Sequence, residues 1–351
     1  MRNIEKLLSC LFLSCVVHVT WASVLWVEAE SFRQKGGWSV DQQFIDQMGS
    51  SYLLAHGMGV PVKEASTKVC FPQKGTYHVY VRTYNWTAPW CDGKGPGRFK
   101  IKVGRKTLPA TLGCEGKNWE WQYAGKVAVK EGEEEVSLKD LTGLDGRVDA
   151  IYFTIRAEDV PPAGGKELEN FRRNMCQLPA FPEKKASYDL VVVGGGVAGM
   201  CAAVTAARMG CKVALVNDRP VLGGNNSAEV RVHLGGYAEM EPNKGLGRML
   251  REFGHSRKGN AQPAEYYEDD KKQNFIEAEK NVMLYANYRA VSVQMNGTKI
   301  SSVVIKHIET GEEICLKAAL FSDCTGDGTI GYLAGADFRM GRESRSEFGE
   351  S

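Results

Sequence analysis

The sequence predicts two domains of different class, an N-terminal all-β sandwich of jelly-roll type followed by an α/β domain. Three observations carry this. From Val24 to about Arg156, short runs of alternating polarity recur between Gly, Asp, Asn and Pro clusters. From Tyr188, a β-branched run ends in three glycines, an Ala-rich helical stretch and a second apolar run, the pattern of a βαβ unit. Between them, residues 158–187 carry paired prolines and glycines and read as a linker. A length of 351 residues suffices for two ordinary domains.

Residues 1–22 read as a secretory signal. Arg2 and Lys6 supply a basic start, Leu7 to Val19 an apolar run, and Thr20-Trp21-Ala22 a cleavage site, so the mature chain is expected to begin near Ser23 or Val24 and to be exported. The run is short for a stable membrane anchor, and no transmembrane segment is expected after cleavage. A buried N-terminal helix, or a lipoprotein with Cys15 as the lipidated residue, are the other readings. An oxidising compartment would allow Cys70, Cys91 and Cys114 to pair, with no pairing specified.

The sandwich, residues 24–157, is read from six runs: 25–29, 76–82, 98–103, 125–129, 135–138 and 150–155. Alternation puts Tyr77, Val79 and Val81 on one face and Thr76, His78, Tyr80 and Arg82 on the other. The opening VEAESF, GTYHVYVRT and the closing DLTGLDGRVDAIYFT make this domain similar to the carbohydrate-binding β-sandwich modules of secreted bacterial glycan-processing proteins. Sugar rings stack on aromatic planes, which makes the loop tryptophans Trp86 and Trp90 candidate glycan contacts. Trp119 and Trp121 are weaker candidates, since at i and i+2 they share a face and equally suit core packing. In the linker, Pro161-Pro162 and Gly164-Gly165 break regular structure at one end and Pro179 and Pro182 at the other, with room for a short helix over 167–176.

The α/β domain, residues 188–351, opens on Leu190–Val193, a strand buried on both faces. Gly194, Gly196 and Gly199 follow in G-x-G-x-x-G spacing. Gly194 makes the tight turn, Gly196 lets a pyrophosphate lie against backbone, and Gly199 brings the helix close to the sheet. The helix runs from about Val197 to Met209, and its first turn, with Val197 and Ala198, offers free N–H groups to phosphates. Lys212 to Val216 is the second strand. Helices are expected over 245–253 and 271–280, and strands over 282–285, 290–295, 300–307 and 314–320, with hairpin turns at Asn296-Gly297 and Thr310-Gly311. Glu229, Arg231 and His233 alternate as on a strand. Either Arg231 and His233 face a pocket as catalytic candidates, or they are the polar face of a half-buried strand.

The pattern DRPVLGGNNSAEVRVH, then DCTGDG and AGADFRMGRE, resembles a bacterial FAD-dependent oxidoreductase family of the two-dinucleotide-binding-domain type, distantly like the flavin subunit of heterodisulfide reductase. The resemblance covers Tyr188 to Ser351 and implies a Rossmann-type FAD-binding domain, with FAD as cofactor. It places Gly223, Gly224 and Asn225 to Ser227 near the flavin, Arg219 beside the nucleotide, and Val291 backbone against the adenine. It sets Gly326 and Asp327 at the ribityl chain, a group NAD lacks. The family's acidic ribose ligand falls at Asn217, with Asp218 next to it, and either can bond a 2′-hydroxyl. The family's late glycine-rich return segment is not found before Ser351, so the domain is expected to be truncated or the front of a longer chain, and to retain flavin weakly.

Chemistry is narrowed by what is missing. The region after Gly224 has no cysteine pair, and Cys201 and Cys211 are ten apart, which argues against dithiol exchange. There is no C-x-x-C, hence no local zinc or iron–sulfur ligand set and no metal is expected. A net charge of +2 without a basic aromatic cluster excludes nucleic acid as a suggested partner. Hydride transfer to or from an organic, carbohydrate-related substrate is the expectation. A glycan-binding protein with an inactive flavin half, or an accessory protein in polysaccharide degradation, are the alternatives. Oligomeric state is not specified.

Overall fold

A computed structural model of the chain describes residues 20–21, 23–236, 238–242, 244–254, 256–342 and 344–349. Nearly all of the segment read as an export signal lies outside the described residues; only Thr20–Trp21 is described, as a short strand. The chain divides into two compact units, residues 1–181 with 308–311, and residues 182–307 with 312–351.

The first unit contains strands β1 (Thr20–Trp21), β2 (Val24–Glu28), β3 (Ser39–Asp41), β4 (Tyr52–His56), β5 (Ala65–Phe71), β6 (Gly75–Thr83), β7 (Phe99–Val103), β8 (Lys106–Thr107), β9 (Glu120–Val129), β10 (Gly132–Asp140) and β11 (Leu144–Thr154), and helices α1 (Ile45–Met48) and α2 (Gly165–Met175). All pairings are antiparallel. One sheet has seven strands around β11, which pairs β2 and β4 along one edge and β6 along the other; β9 pairs β6. The other runs β5-β10-β7-β8. Tyr77, Val79 and Val81 point into the shared core, with Phe153, Ile151, Phe99, Ile101, Val136 and Leu138. Alternating apolar residues from two sheets thus make the sandwich.

The expected linker is not one. Its helix, α2, buries Leu168 and Met175 against Val24, Trp26, Tyr80, Ala150 and Tyr152, the outer face of the seven-stranded sheet. Residues 184–187 are already strand. The break residues bracket the helix as read, but its apolar stripe finds a sheet face to cover.

The second unit holds β12 (Lys184–Val193), α3 (Val197–Arg208), β13 (Val213–Asn217), α4 (Gly247–Phe253), α5 (Asp269–Glu277), β14 (Val282–Ala286), β15 (Tyr288–Asn296), β16 (Lys299–His307), β17 (Glu313–Asp323), α6 (Thr329–Leu333) and α7 (Arg345–Phe348). Its sheet runs β14-β13-β12-β17-β16-β15; the first four strands are parallel, and β16 and β15 join antiparallel. Val192 and Leu215 pack with α3, Phe253 and Phe275 on one face, and Val191, Val193 and Val216 pack with Ile330 on the other. A sheet covered on both faces explains the unbroken apolar runs of β12 and β13. Among the described residues no helix is long and apolar enough to cross a membrane.

Candidate functional site

The site forms where β12 and β13 end, the position at which open α/β sheets bind ligands. Gly194 leaves β12 at φ +108°, and a Cβ there would stand 2.3 Å from the Cys324 carbonyl oxygen, so only glycine makes this turn. A Cβ at Gly199 would stand 1.8 Å from the Gly194 oxygen, which lets α3 press onto the strand end. Gly196 differs. Its φ of −69° suits any residue, and a Cβ there would meet only the Gly224 Cα, at 4.0 Å. The protein's own packing therefore does not require glycine at 196.

A cavity of about 530 Å³ opens over these residues. The ends of β12 and α3 line it through Gly194 to Ala198, the end of β13 through Asn217, Asp218 and Arg219, and the next turn through Gly223 to Asn226. Gly326 and Asp327 line it from the loop after β17. Helix α3 begins without a side-chain cap, and its first intrahelical bond reaches Met200 N–H. The N–H groups of its first turn and its dipole thus face an anion site.

The two ribose candidates separate. Asn217 is buried, and its Nδ2 donates to the carbonyls of Arg219 and Val221 at 2.8 and 2.9 Å, so it shapes its own loop. Asp218 is half-buried at the cavity, 3.4 Å from the Arg289 guanidinium, with a carboxylate that can accept from hydroxyls. Arg289, Tyr288 and Ala290 line the cavity, whereas Val291 does not. Val291 is the extra residue of a bulge, since Ala290 and Ser292 pair with the consecutive Ile305 and Val304. Ser227 also stands back from the cavity, its hydroxyl donating to the Gly224 carbonyl at 2.7 Å.

Asp323, not singled out in the sequence, builds the DCTGDG loop. Its carboxylate accepts from Thr325 N–H and Oγ1 and from the N–H groups of Ile330 and Gly331 at the start of α6. Asp327 is left exposed at the cavity with no hydrogen bond or ion pair among the described residues. Asp323 is the last residue of β17 and the N-cap of α6 is Gly328, so no ordinary capping position marks Asp323 in the sequence.

Residues 228–235 are not a strand, contrary to the alternation of Glu229, Arg231 and His233. Arg231 has φ +64°, and its N–H returns to the Ser227 carbonyl at 2.8 Å, a turn. Its exposed side chain donates to the Ala228 carbonyl at 2.9 Å and does not line the cavity. His233 does line it. Asn260 Oδ1 accepts from the His233 backbone N–H at 3.0 Å and lies 2.6 Å from Nδ1. That oxygen requires a donor, so Nδ1 carries the proton of the neutral ring and Nε2 keeps a lone pair.

The eight described cysteines, including Cys70, Cys91 and Cys114, are free thiols. Burial pushes the Cys201 thiol up, away from thiolate reactivity. In the sandwich, Trp119 packs with Met48 and Tyr52, and Trp121 meets Trp26 edge-on at 5.5 Å, so both serve packing. Trp86 is pinned by its Nε1–H on the Leu144 carbonyl at 2.9 Å and has the Arg147 guanidinium 5.8 Å over its ring. Trp90 is 75% exposed, with its ring centre 6.4 Å from that of Trp86.

Residues 189–351 match the family model described as FAD dependent oxidoreductase. The chain is 35% identical over 108 residues to an NADH:fumarate oxidoreductase of Klebsiella pneumoniae, covering 28% of this chain and 12% of that protein. It is 44% identical over 67 residues to a soluble pyridine nucleotide transhydrogenase of Ectopseudomonas mendocina, covering 19% and 12%. The chain thus spans about an eighth of the length of these curated relatives. Among solved structures it is similar to Mycobacterium smegmatis Sdh1 in complex with UQ1 (18% identity, TM-score 0.30, 41% of this chain and 34% of that one). It is also similar to a family 35 carbohydrate binding module from Clostridium thermocellum (17%, TM-score 0.31, 37% and 97%). Residues 189–351 are thus similar to FAD-dependent oxidoreductase domains, and the cofactor of that match is FAD. The cavity fits that group: open space at Gly196, an uncapped helix start, and carboxylates at both Asp218 and Asp327.

Proposed function

We propose that the chain is an exported FAD-dependent oxidoreductase that moves a hydride to or from a carbohydrate-related substrate, and that its β-sandwich binds glycan. The observation that carries the redox half is the open space over Gly196 at an uncapped helix start, a cradle for a pyrophosphate that the protein's own packing does not fill. The first turn of α3 and Gly194 to Ala198 hold the phosphates, Asp218 takes the adenosine ribose, and Asp327 takes the ribityl hydroxyls. FAD, when bound, supplies hydride chemistry. His233 Nε2 is the base that takes a proton from the substrate, kept in that tautomer by Asn260. Purifying the full chain and reading the visible flavin band tests the cofactor half. His233→Gln is expected to lower turnover by about 10²- to 10⁴-fold while that band is unchanged. Unchanged turnover would exclude His233 as the base.

Export rests on the basic and apolar pattern of residues 1–22. The glycan half rests on Trp90, the exposed indole of a polar loop. Because Arg147 and Leu144 already engage Trp86, Trp90 is the stacking platform. Trp90→Ala is expected to weaken polysaccharide binding by about 1–1.5 kcal/mol, roughly tenfold, with no change in melting. Affinity gels of several polysaccharides check this, and equal retardation of variant and wild type on every one would sink it.

A further inference from the structure

His233, the proposed base, is oriented by a turn whose own conformation is strained. Asn260, whose Oδ1 takes both the His233 N–H and Nδ1, lies between Gly259 at φ +128° and Ala261 at φ +53°. A left-handed alanine is costly, so the turn needs ties from elsewhere. Ala261 N–H supplies one, to the Arg231 carbonyl at 2.8 Å. The phenol of Tyr267 supplies others. It is fully buried, and its oxygen lies 2.6 Å from the Arg231 carbonyl oxygen, 3.0 Å from that of Gly259 and 3.2 Å from the Gln262 nitrogen. It accepts from the Gln262 N–H and shares its one proton between the two carbonyls. A single hydroxyl thus joins both flanks of Asn260 to Arg231, on the chain leading into His233. Tyr267 is itself fixed, since buried Lys272 donates to its carbonyl and pairs with Asp269 at 3.0 Å.

Which imidazole nitrogen carries the proton is set by the hydrogen bond that the ring makes. If Asn260 moves away, the proton is free to sit on Nε2, and the lone pair that a base needs there is lost. We infer that Tyr267 is a positioning residue: through the Asn260 turn it holds His233 with its proton on Nδ1 and its lone pair on Nε2. The catalytic purpose of this tie rests on the reading of His233 as the base. A phenol that served the fold alone would leave the ring's proton where it is when its hydroxyl is removed.

The test is a long-range proton–nitrogen NMR spectrum of the full chain carrying isotope-labelled histidine, at about pH 8, where ordinary imidazoles are neutral. The His233 signals are identified by their loss in His233→Gln. The wild type should show His233 protonated on Nδ1. In Tyr267→Phe, which keeps the ring and removes the hydroxyl, the Nδ1–H pattern should lose its dominance to Nε2–H while the other histidine signals stay in place. An unchanged Nδ1–H pattern in Tyr267→Phe, or a wild type protonated on Nε2, overturns the role of Tyr267. Should Tyr267→Phe not fold, amide exchange of the wild type is read instead. The N–H groups of Ala261, Gln262 and His233 should then be protected together, and a freely exchanging Gln262 N–H overturns the tie. None of these readings needs a substrate. A tautomer that moves in Tyr267→Phe supports the tie whatever His233→Gln does to turnover, and unchanged turnover in His233→Gln overturns the base and not the tie.

Discussion

Gly196→Asp abolishes FAD binding, and the apoprotein melts as the wild type does. The second half of that expectation is the informative one. At Gly194 and Gly199 any side chain would strike backbone, at 2.3 Å from the Cys324 oxygen and 1.8 Å from the Gly194 oxygen, so substitutions there damage the fold. At Gly196 the backbone conformation is ordinary and a Cβ would have open space, with only the Gly224 Cα at 4.0 Å. A side chain at 196 therefore enters the cavity without straining the protein. A carboxylate about 4 Å from a phosphate charge costs about 4 kcal/mol at an effective dielectric of about 20, roughly a thousandfold in affinity. Gly196→Ala, uncharged and sterically quiet in the apoprotein, should fall between. Equilibrium titration with FAD reads binding, and circular dichroism melting reads the fold. A Gly196→Asp protein that still carries flavin would show that the phosphates lie elsewhere.

The glycine turn was legible in the sequence because its signals are local. A β-branched run, fixed glycine spacing and an Ala-rich helix need no distant partner to be read. The first half of β12 was missed for the converse reason. Lys184 to Tyr188 is polar and half-exposed, and it is strand because it pairs with Ile314 to Ala318 of β17. Strand β5 escaped notice because its buried positions are Ala65, Thr67, Val69 and Phe71, of which the first two are weak apolar signals. The alternation of Glu229, Arg231 and His233 misled for a related reason. Period two is necessary for a strand but does not create an edge to pair with, and here the chain turns back through Arg231 and is tied to Asp269 instead. Of the ligand-facing side chains, those in glycine motifs were readable, whereas Arg289 and Asp323 depend on what the fold brings beside them. The helix in the presumed linker was read as a helix, but its purpose was not, since its one polar anchor, Arg172, is intelligible only against carboxylates far away in sequence.

Replacing that anchor should have the largest effect on stability in the first unit. Arg172 reaches from α2 through its Nη2 to both oxygens of Asp149, at 2.9 and 2.7 Å, and through its Nη1 to Glu28 at 3.0 Å and to the Ser50 hydroxyl. Arg82 meets Asp149 at 2.9 Å from the other side. All lie under α2 with Trp26, whose ring is 5.4 Å from the Arg172 guanidinium. Burial works to lower the pKa of Arg172, but Asp149, Glu28 and Glu30 more than reverse this, so the side chain stays charged. Arg172→Met keeps the length and removes the charge. It leaves buried carboxylates short of a counterion, which typically costs about 3–5 kcal/mol. Glu30 sets the pH dependence. Burial, and then the charge of Glu28, already hold its pKa well above the ordinary value, and Arg172 is the cation that lowers it. Without Arg172 it rises further. A carboxyl with a raised folded-state pKa binds more protons folded than unfolded, so stability falls as pH climbs through the window between the two pKa values. The deficit of Arg172→Met should therefore be greatest at about pH 7 and smaller at about pH 5. Urea unfolding followed by tryptophan fluorescence reads this unit alone, because all seven tryptophans lie between positions 21 and 121. A deficit under about 1 kcal/mol, the range of an exposed pair, or one that grows on acidification, would show that Arg172 is not the counterion of this cluster.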